Sequence, residues 1–518
     1  MRIAIIGSGF SGITTAKTLR ELGHECIVLE KCSDVGGVWS SSRRYPGLHT
    51  QNTKDTYCLS DLPMPKIYDQ WPNGSQVQAY LEQYVEKNQM EKMIKLNTEV
   101  IKVQRKGGAH PLSANIPWIL TIKNSHSTIE ADHVIVCTGI FSDGDVPRFD
   151  GMEEFEAQGG QVQHTCAVGS NETLKNKHVV VVGYGKSACD VANAAAEEGT
   201  GAKSVTLVAR RLIWKVPRKI RGLTYKWLLL TRMGEALFEY IRPTNFIESF
   251  FHKTSIGSTV RNGLMNSLEW VIAGQLGLKS IDMMPRLPFE TVAQSTISLS
   301  TEGLYNKVRE GKLTIKRDNY IVKLAPSPSD PKQWGAYLSS GSFIPADLVL
   351  CGTGFHQKPP SFLPDEIAKK LVDHRGYWFM YRHIKPFDVP DLTFNGFGSS
   401  LFSATSSEAG ALWIGAYLAR GESMLPPLEE QKRITQEKLE WLEIRCQGKH
   451  SNGTNVVPFS MHSIDEVLDE AQINISSSKR LLQWVLPINP TYYSGLSQKL
   501  AAQLEKEAEM TERPLYYP

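Results

Sequence analysis

The chain opens on an apolar run, Arg2-Ile3-Ala4-Ile5-Ile6, that meets glycine at once. So short a run, bounded by Gly, reads as a buried strand. A helix-period stretch, Ile13 to Leu22, follows, and then a second short apolar run, Glu25–Leu29. The same order returns later, with a strand at His178–Val182, a helix to about Glu198 and a strand at Ser204–Val208. Strands alternating with helices predict parallel sheets in an α/β fold. There is also a short internal echo. Ala131-Asp132-His133-Val134-Ile135-Val136-Cys137-Thr138-Gly139 parallels Ala346-Asp347-Leu348-Val349-Leu350-Cys351-Gly352-Thr353-Gly354. Each copy reads as a buried strand closing on Thr-Gly, where a chain can pass tightly against a ligand or leave a domain. Leu428 to Leu442 is a charged amphipathic helix with a solvated face. No window of about 18 apolar residues lacks charges, so no spanning helix is expected. The first residues also lack the long apolar region of a signal peptide.

Between the strand and helix of the first unit stands Gly7-Ser8-Gly9-Phe10-Ser11-Gly12, and Glu30 follows the second strand. Glycines in that setting allow a tight turn and close backbone approach, so a pyrophosphate can sit on the helix N-terminus. Glu30 is placed to accept hydrogen bonds from a ribose diol. Gly36-Gly37-Val38-Trp39 supplies a second small-residue loop beside the same crevice. In the second unit the string is Gly183-Tyr184-Gly185-Lys186-Ser187-Ala188, and the next strand ends in Ala209-Arg210-Arg211. Two guanidiniums where a ribose-binding carboxylate would sit favour a 2′-phosphate, hence NADPH over NADH. The plain alternative is a solvated basic turn. Two sites of different polarity imply two cofactors. One echo copy precedes the second unit and the other follows it, so the second unit reads as inserted into the first. The expected fold is α/β with two Rossmann-like dinucleotide-binding domains. A discontinuous FAD domain spans 1–165 and 335–518. The NADPH domain, 166–334, lies between and carries a helical insertion at 212–290.

At about 150 residues per domain, 518 residues leave room for three or more. Lys plus Arg is 57 against 54 Asp plus Glu, a formal charge of +3, which argues against nucleic acid as a partner. Hydrophobic and charged fractions of 41% and 21% exclude a disordered or collagenous chain. The eight cysteines contain no CxxC pair, which fits a reduced, cytoplasmic setting better than a disulfide framework. Sequons such as Asn171-Glu172-Thr173 are then chance matches. There is no HExxH, GxSxG or zinc spacing, so no metal is expected. Gly185-Lys186-Ser187 imitates the end of a phosphate-binding loop, but position 180 is Val where that loop needs Gly. Within 212–290, Trp214-Lys215-Val216-Pro217-Arg218 leads into aromatic-rich, helix-like segments with scattered cations. Two readings stand side by side: a peripheral contact with a membrane surface, or a helical cover that shapes the substrate pocket.

Together these elements resemble the flavin-containing monooxygenases, the class B flavoprotein monooxygenases, and their fungal members in particular, over residues 1 to about 425. Tyr45-Pro46-Gly47-Leu48-His49-Thr50-Gln51-Asn52-Thr53-Lys54-Asp55 looks like the family's loop beside the flavin ring, and Ser60 to Pro65 continues the match. Val146 to Gly151 leads into the family fingerprint, which ends at Gly160-Gln161-Val162-Gln163-His164-Thr165. Glu408 to Trp413 resembles the helix that caps the flavin's pyrimidine end. The resemblance implies cofactor contacts at Gly37, Val38, Trp39, Val100, Thr138, Gly139, Ser187, Ala188, Thr353 and Gly354. It implies that NADPH reduces FAD and that reduced flavin captures O2 as a C4a-(hydro)peroxide. One oxygen atom then passes to a small organic substrate, through N- or S-oxygenation or a related tailoring step of specialised metabolism. Gln51 and Asn52 are the candidate catalytic amides. Three departures stand out: Gln51 where the family has Asn, Val168 where it has an aromatic residue, and Gly410 where Gln is usual. A Baeyer–Villiger monooxygenase and an NADPH-binding flavoprotein without oxygenation are the alternatives. A flavin disulfide reductase would need a cysteine pair at the flavin, and Cys26 and Cys32 instead bracket Glu30.

Overall fold

In the computed structural model, which describes residues 1–123, 127–294, 298–449 and 451–511, Arg2–Ile6 is a strand whose last four residues are buried. Burial on both faces demands cover on both sides, and the strand lies in the middle of a five-stranded parallel sheet. Across that sheet the order is Leu392–Phe394, His133–Val136, Arg2–Ile6, Glu25–Leu29 and Ile94–Lys95. A second five-stranded parallel sheet runs Thr314–Arg317, Ser204–Ala209, His178–Val182, Leu348–Cys351 and Gln161–His164. The helices Phe10–Glu21 and Lys186–Ala195 leave the central strands of the two sheets. Every strand of the second sheet falls between His133–Val136 and Leu392–Phe394 in sequence, so the second Rossmann-like unit is inserted into the first.

The two units repeat each other beyond the glycine strings. Each carries a three-stranded antiparallel meander just before a parallel strand that pairs with its central one, His133–Val136 in the first unit and Leu348–Cys351 in the second. In the first unit it comprises Val100–Arg105, Trp118–Ile122 and Thr128–Ala131. In the second it comprises Ile321–Pro326, Trp334–Leu338 and Phe343–Pro345. The Ala-Asp echo marks the step from meander to sheet. Asp132 accepts a hydrogen bond from the Arg2 amide (2.8 Å) and Asp347 from the His178 amide (2.7 Å). Each aspartate thus fixes the start of its own unit's central strand. The second echo copy therefore belongs to the second sheet and not to the first. The expected boundaries at 165 and 335 cut through that sheet, since Gln161–His164 precedes one and Leu348–Cys351 follows the other. An apolar run does not state which of two like sheets it will join, because long-range pairing decides it.

Residues 212–290 form a small hairpin, Lys219–Ile220 with Leu223–Thr224, and the helices Lys226–Leu229, Arg232–Ala236, Phe246–Lys253 and Ser255–Leu276. Trp214, Tyr225, Tyr240 and Phe251 bury their rings in the main core. The outer side leaves Phe246, Ile256 and Trp270 exposed. Its inner side is held by charge. His462, on the helix Ser460–Glu470, is clasped between Glu235 and Glu248, with Nε2 3.0 Å from Glu248, and both carboxylates are buried. Arg232 forms a two-pronged pair with Asp465 (2.5 and 2.9 Å). Among the described residues no helix is long and apolar enough to cross a membrane.

Candidate active site

The three glycines of the first loop do different work. Gly7 has φ +108°, and a Cβ there would stand 2.6 Å from the Cys137 carbonyl oxygen. A Cβ on Gly12 would collide with the Gly7 carbonyl. Both are required by the protein itself. Gly9 is not: a Cβ there would meet only Gly37 backbone, with Cα nearest at an ordinary 3.6 Å. The second loop repeats the pattern. Gly183, at φ +114°, is pressed against the Gly352 carbonyl, whereas a Cβ on Gly185 would meet nothing within 4 Å. Ala188 replaces the third glycine because Gly352 faces it, with 2.6 Å between the Ala188 Cβ and the Cβ that Gly352 lacks. In the first unit the sizes are reversed, Gly12 facing Cys137. Gly9 and Gly185 are the N-caps of their helices. Their missing side chains keep clear the ground where a pyrophosphate would lie against helix N–H groups. The residues present fit two dinucleotides.

Glu30 is buried, and its carboxylate accepts from Ser8 N (2.8 Å), Ser8 Oγ (2.9 Å) and Cys32 N (2.9 Å). It thereby joins the glycine loop to the second strand, with acceptor capacity left for a ribose. Gly36 N donates to Ser8 O (3.1 Å), which lays the Gly37-Val38-Trp39 turn on the first loop. Trp39 meets Tyr57 edge-on. Val100 is buried in the core beside Ile6 and Leu29. Thr138 and Gly139 follow the strand next to the first loop, Gly139 at φ +69°. Thr353 and Gly354 take the corresponding place in the second unit, where Thr353 Oγ1 donates to Asp145 O.

The 45–55 loop bridges the units. Tyr45 OH reaches Asp190 (3.4 Å) on the second unit's helix, and Asp190 also pairs with Lys186 and accepts from Thr301 Oγ1 (2.5 Å). Gln51 Oε1 accepts from Leu299 N (3.1 Å), and its carbonyl accepts from Tyr225 OH (2.5 Å). Asn52 Nδ2 donates to Leu401 O (2.6 Å). Both amides thus hold distant segments, and the Gln51 amide nitrogen keeps its donors free among the described residues. Gln51 lines a small cavity with Tyr225, Leu229 and Leu230. Sequence reasoning gave Tyr45, Asp190 and Tyr225 no role of their own. Their part rests on contacts between loops far apart in the chain.

At the end of Ser204–Ala209, Arg210 is exposed and Arg211 half-buried, and neither has a hydrogen-bond or ion-pair partner among the described residues. Burial, and then repulsion from Arg211, depress the Lys449 ammonium, so a third cation stands at this corner. Lys215, singled out in the sequence only as part of a Trp-Lys-Val-Pro run, is buried and donates to Tyr184 O (2.7 Å) and Ser298 Oγ (2.8 Å). It braces the second glycine loop from behind. On the helix Ser403–Arg420, Glu408 accepts from Ser60 N and Oγ, and burial lifts its carboxyl to about 7. Gly410 has a local reason: a Cβ there would strike the Asn395 amide, which bonds Thr15 and Ser407. Val168 is fully buried. All eight cysteines are free thiols, and no metal-binding cluster occurs among the described residues.

The family description "FMO-like: Flavin-binding monooxygenase-like" matches residues 1–259. "Probable flavin-containing monooxygenase 1" of Arabidopsis thaliana is 26% identical over 521 residues, covering 91% of this chain and 92% of that protein. Among solved structures, S-allyl-L-cysteine S-oxygenase from Allium sativum aligns with TM-score 0.60 and 17% identity over 98% of both chains. The closed form of cyclohexanone monooxygenase aligns with TM-score 0.66 and 17% identity, over 91% of this chain and 97% of that one. At such identity the structural likeness is one of fold.

Proposed function

Because this chain belongs to the flavin-binding monooxygenase-like family, we propose that it is an FAD- and NADPH-dependent monooxygenase that oxygenates a nitrogen or sulfur of a small organic substrate. The observation that carries this reading is the pair Gly9 and Gly185, two glycines the fold does not itself require, each at the start of a helix in its own parallel sheet. FAD, when bound, supplies hydride acceptance and O2 activation. The chain's own residues bind and orient. The helix N-termini at Gly9 and Gly185 hold pyrophosphates, Glu30 holds the adenosine ribose of FAD, and the 45–55 loop keeps the two units in touch through Tyr45 and Asp190. Tyr225 and the segment around it roof Gln51 and Asn52, which limits water at the reacting face.

The basic corner sets the choice of nicotinamide cofactor. Arg210→Ala or Arg211→Ala should weaken NADPH far more than NADH, since each removes a charge-assisted hydrogen bond to phosphate of about 1.5–3 kcal/mol. That is on the order of ten- to a hundredfold in affinity. Flavin-reduction titrations with both cofactors measure it, and equal losses would remove the 2′-phosphate assignment.

The test of the function itself is an oxygen balance. Purified flavoprotein given NADPH, O2 and a tertiary amine or thioether should yield a product heavier by one oxygen atom. In Gln51→Ala and Asn52→Ala, NADPH consumption should persist while more of the O2 leaves as hydrogen peroxide, because these amides brace the roof over the site. Product formation absent with every nucleophile, with all O2 recovered as peroxide, would leave a flavoprotein without oxygenation activity. Unchanged coupling in both variants would remove the two amides from oxygen transfer.

A further inference from the structure

The two glycine loops match in backbone angle but are buttressed by different chemistry. Gly7 and Gly183 stand at φ +108° and +114°, and Gly9 and Gly185 at φ −74° and −71°. The residues between them, Ser8 and Tyr184, therefore hold corresponding places. In the first unit the Ser8 carbonyl takes its hydrogen bond from a neutral backbone donor, Gly36 N (3.1 Å). In the second the Tyr184 carbonyl takes it from an ammonium, Lys215 Nζ, at 2.7 Å. The sequence aims that lysine. Trp214-Lys215-Val216 is laid along Ser298–Ser300, with Val216 N donating to Ser298 O (3.0 Å) and Ser300 N to Val216 O (2.8 Å). Trp214 and Val216 enter the apolar core, and alternation turns Lys215 the other way, under the glycine loop.

Lys215 is 1% exposed, and both its hydrogen-bond partners, Tyr184 O and Ser298 Oγ (2.8 Å), are neutral. Burial depresses its ammonium; Lys186 adds to that effect and Asp190 opposes it. The adjoining Cys189 stays a neutral thiol, raised by burial. Asp190 is already the partner of Lys186, so those two cancel and the charge on Lys215 is left over. A buried cation without a counter-ion is costly, and a bound anion relieves that cost. The anion for which a glycine turn at a helix start is shaped is a pyrophosphate. We propose that Lys215 is the positioning charge for the cofactor of the second unit: its ammonium holds the Tyr184 turn and attracts the pyrophosphate that NADPH and NADH share. This role rests on the second loop holding a dinucleotide, and it divides the labour there. Arg210 and Arg211 tell the two cofactors apart by the 2′-phosphate, whereas Lys215 serves both alike.

Two ligands separate this charge from a mere brace: 2′-phospho-ADP-ribose, which carries the pyrophosphate, and adenosine 2′-monophosphate, which lacks it. Calorimetric titration of the FAD-loaded full chain should show Lys215→Met binding the first about tenfold or more weakly and the second as wild type does. NADPH and NADH should weaken by the same factor. Lys215→Gln keeps an N–H for the Tyr184 carbonyl but not the charge, and should lose as much as Lys215→Met. Should Lys215→Met fail to fold, the glutamine variant decides alone. Wild-type affinity for 2′-phospho-ADP-ribose in Lys215→Gln, or equal weakening of the two ligands, overturns the role and leaves Lys215 a brace. Wild-type protein that binds neither ligand removes the dinucleotide site itself, and this role with it.

Discussion

Gly9→Val should give a folded but colourless protein. Its backbone, φ −74° and ψ −170°, is open to any residue, and the nearest protein atom to its Cβ is at an ordinary contact distance. The valine would instead occupy the ground between the helix N-terminus and the pyrophosphate. Two charge-assisted hydrogen bonds lost there, at about 1.5–3 kcal/mol each, amount to on the order of a thousandfold in FAD affinity. Gly12→Ala is the control with the opposite signature. Its methyl group meets the Gly7 carbonyl, so that variant should lose folded protein and not merely flavin. Visible absorbance per mole and the circular dichroism of the apoprotein read the two effects apart. Normal flavin occupancy in Gly9→Val would displace the FAD site from this loop.

The second large effect is expected at His462. Burial alone would depress its imidazolium, but hydrogen bonds and charge from Glu235 and Glu248 outweigh burial and raise it from 6.5 to about 10. Burial would likewise raise Glu248, yet His462 draws it from 4.5 down to about 2. His462→Ala leaves two buried carboxylates without their shared cation, a change of about 3–5 kcal/mol. The raised imidazole contributes fully below about pH 6.5, and that contribution is lost as pH rises through about 10. The depressed Glu248 contributes fully above about pH 4.5, and that contribution is lost as pH falls towards 2. The gap between wild type and variant should therefore be widest between about pH 4.5 and 6.5 and narrow at pH 10. In a chain of two units the loss need not be global. Hydrogen exchange should locate it in Phe246–Lys253 and Ser460–Glu470. A gap that stays constant from pH 5 to 10 would mean that the pair is not ionic.

What could be read from the sequence was what short-range physics decides. The strands Arg2–Ile6, Glu25–Leu29 and His178–Val182 have the limits their apolar runs predict. The glycine strings stand at the helix starts because positive φ and close approach are local demands. The helix of the second unit ends earlier than expected, at Ala195, and a 3-10 turn takes up Glu198–Thr200. What could not be read were the choices made across the chain. Leu348–Cys351 pairs with His178–Val182 by register, which its own residues do not announce. Lys449 feels the charge of Arg211, and Glu235 grips His462, from far along the sequence. Gln51 and Asn52 were placed by resemblance, and only the fold shows that they tie Leu299 and Leu401 to their loop.

The nesting of one sheet within the other has a consequence for the growing polypeptide. The second sheet has all its strands once Cys351 has been made, whereas the first still waits for Leu392–Phe394 and for the helix Ser403–Arg420 that packs on Phe10–Glu21. On the ribosome, the half of the molecule that starts first must finish last. Its apolar strands stay partly uncovered while the inner unit closes, and in that interval the nascent chain is most open to aggregation and most in need of a chaperone.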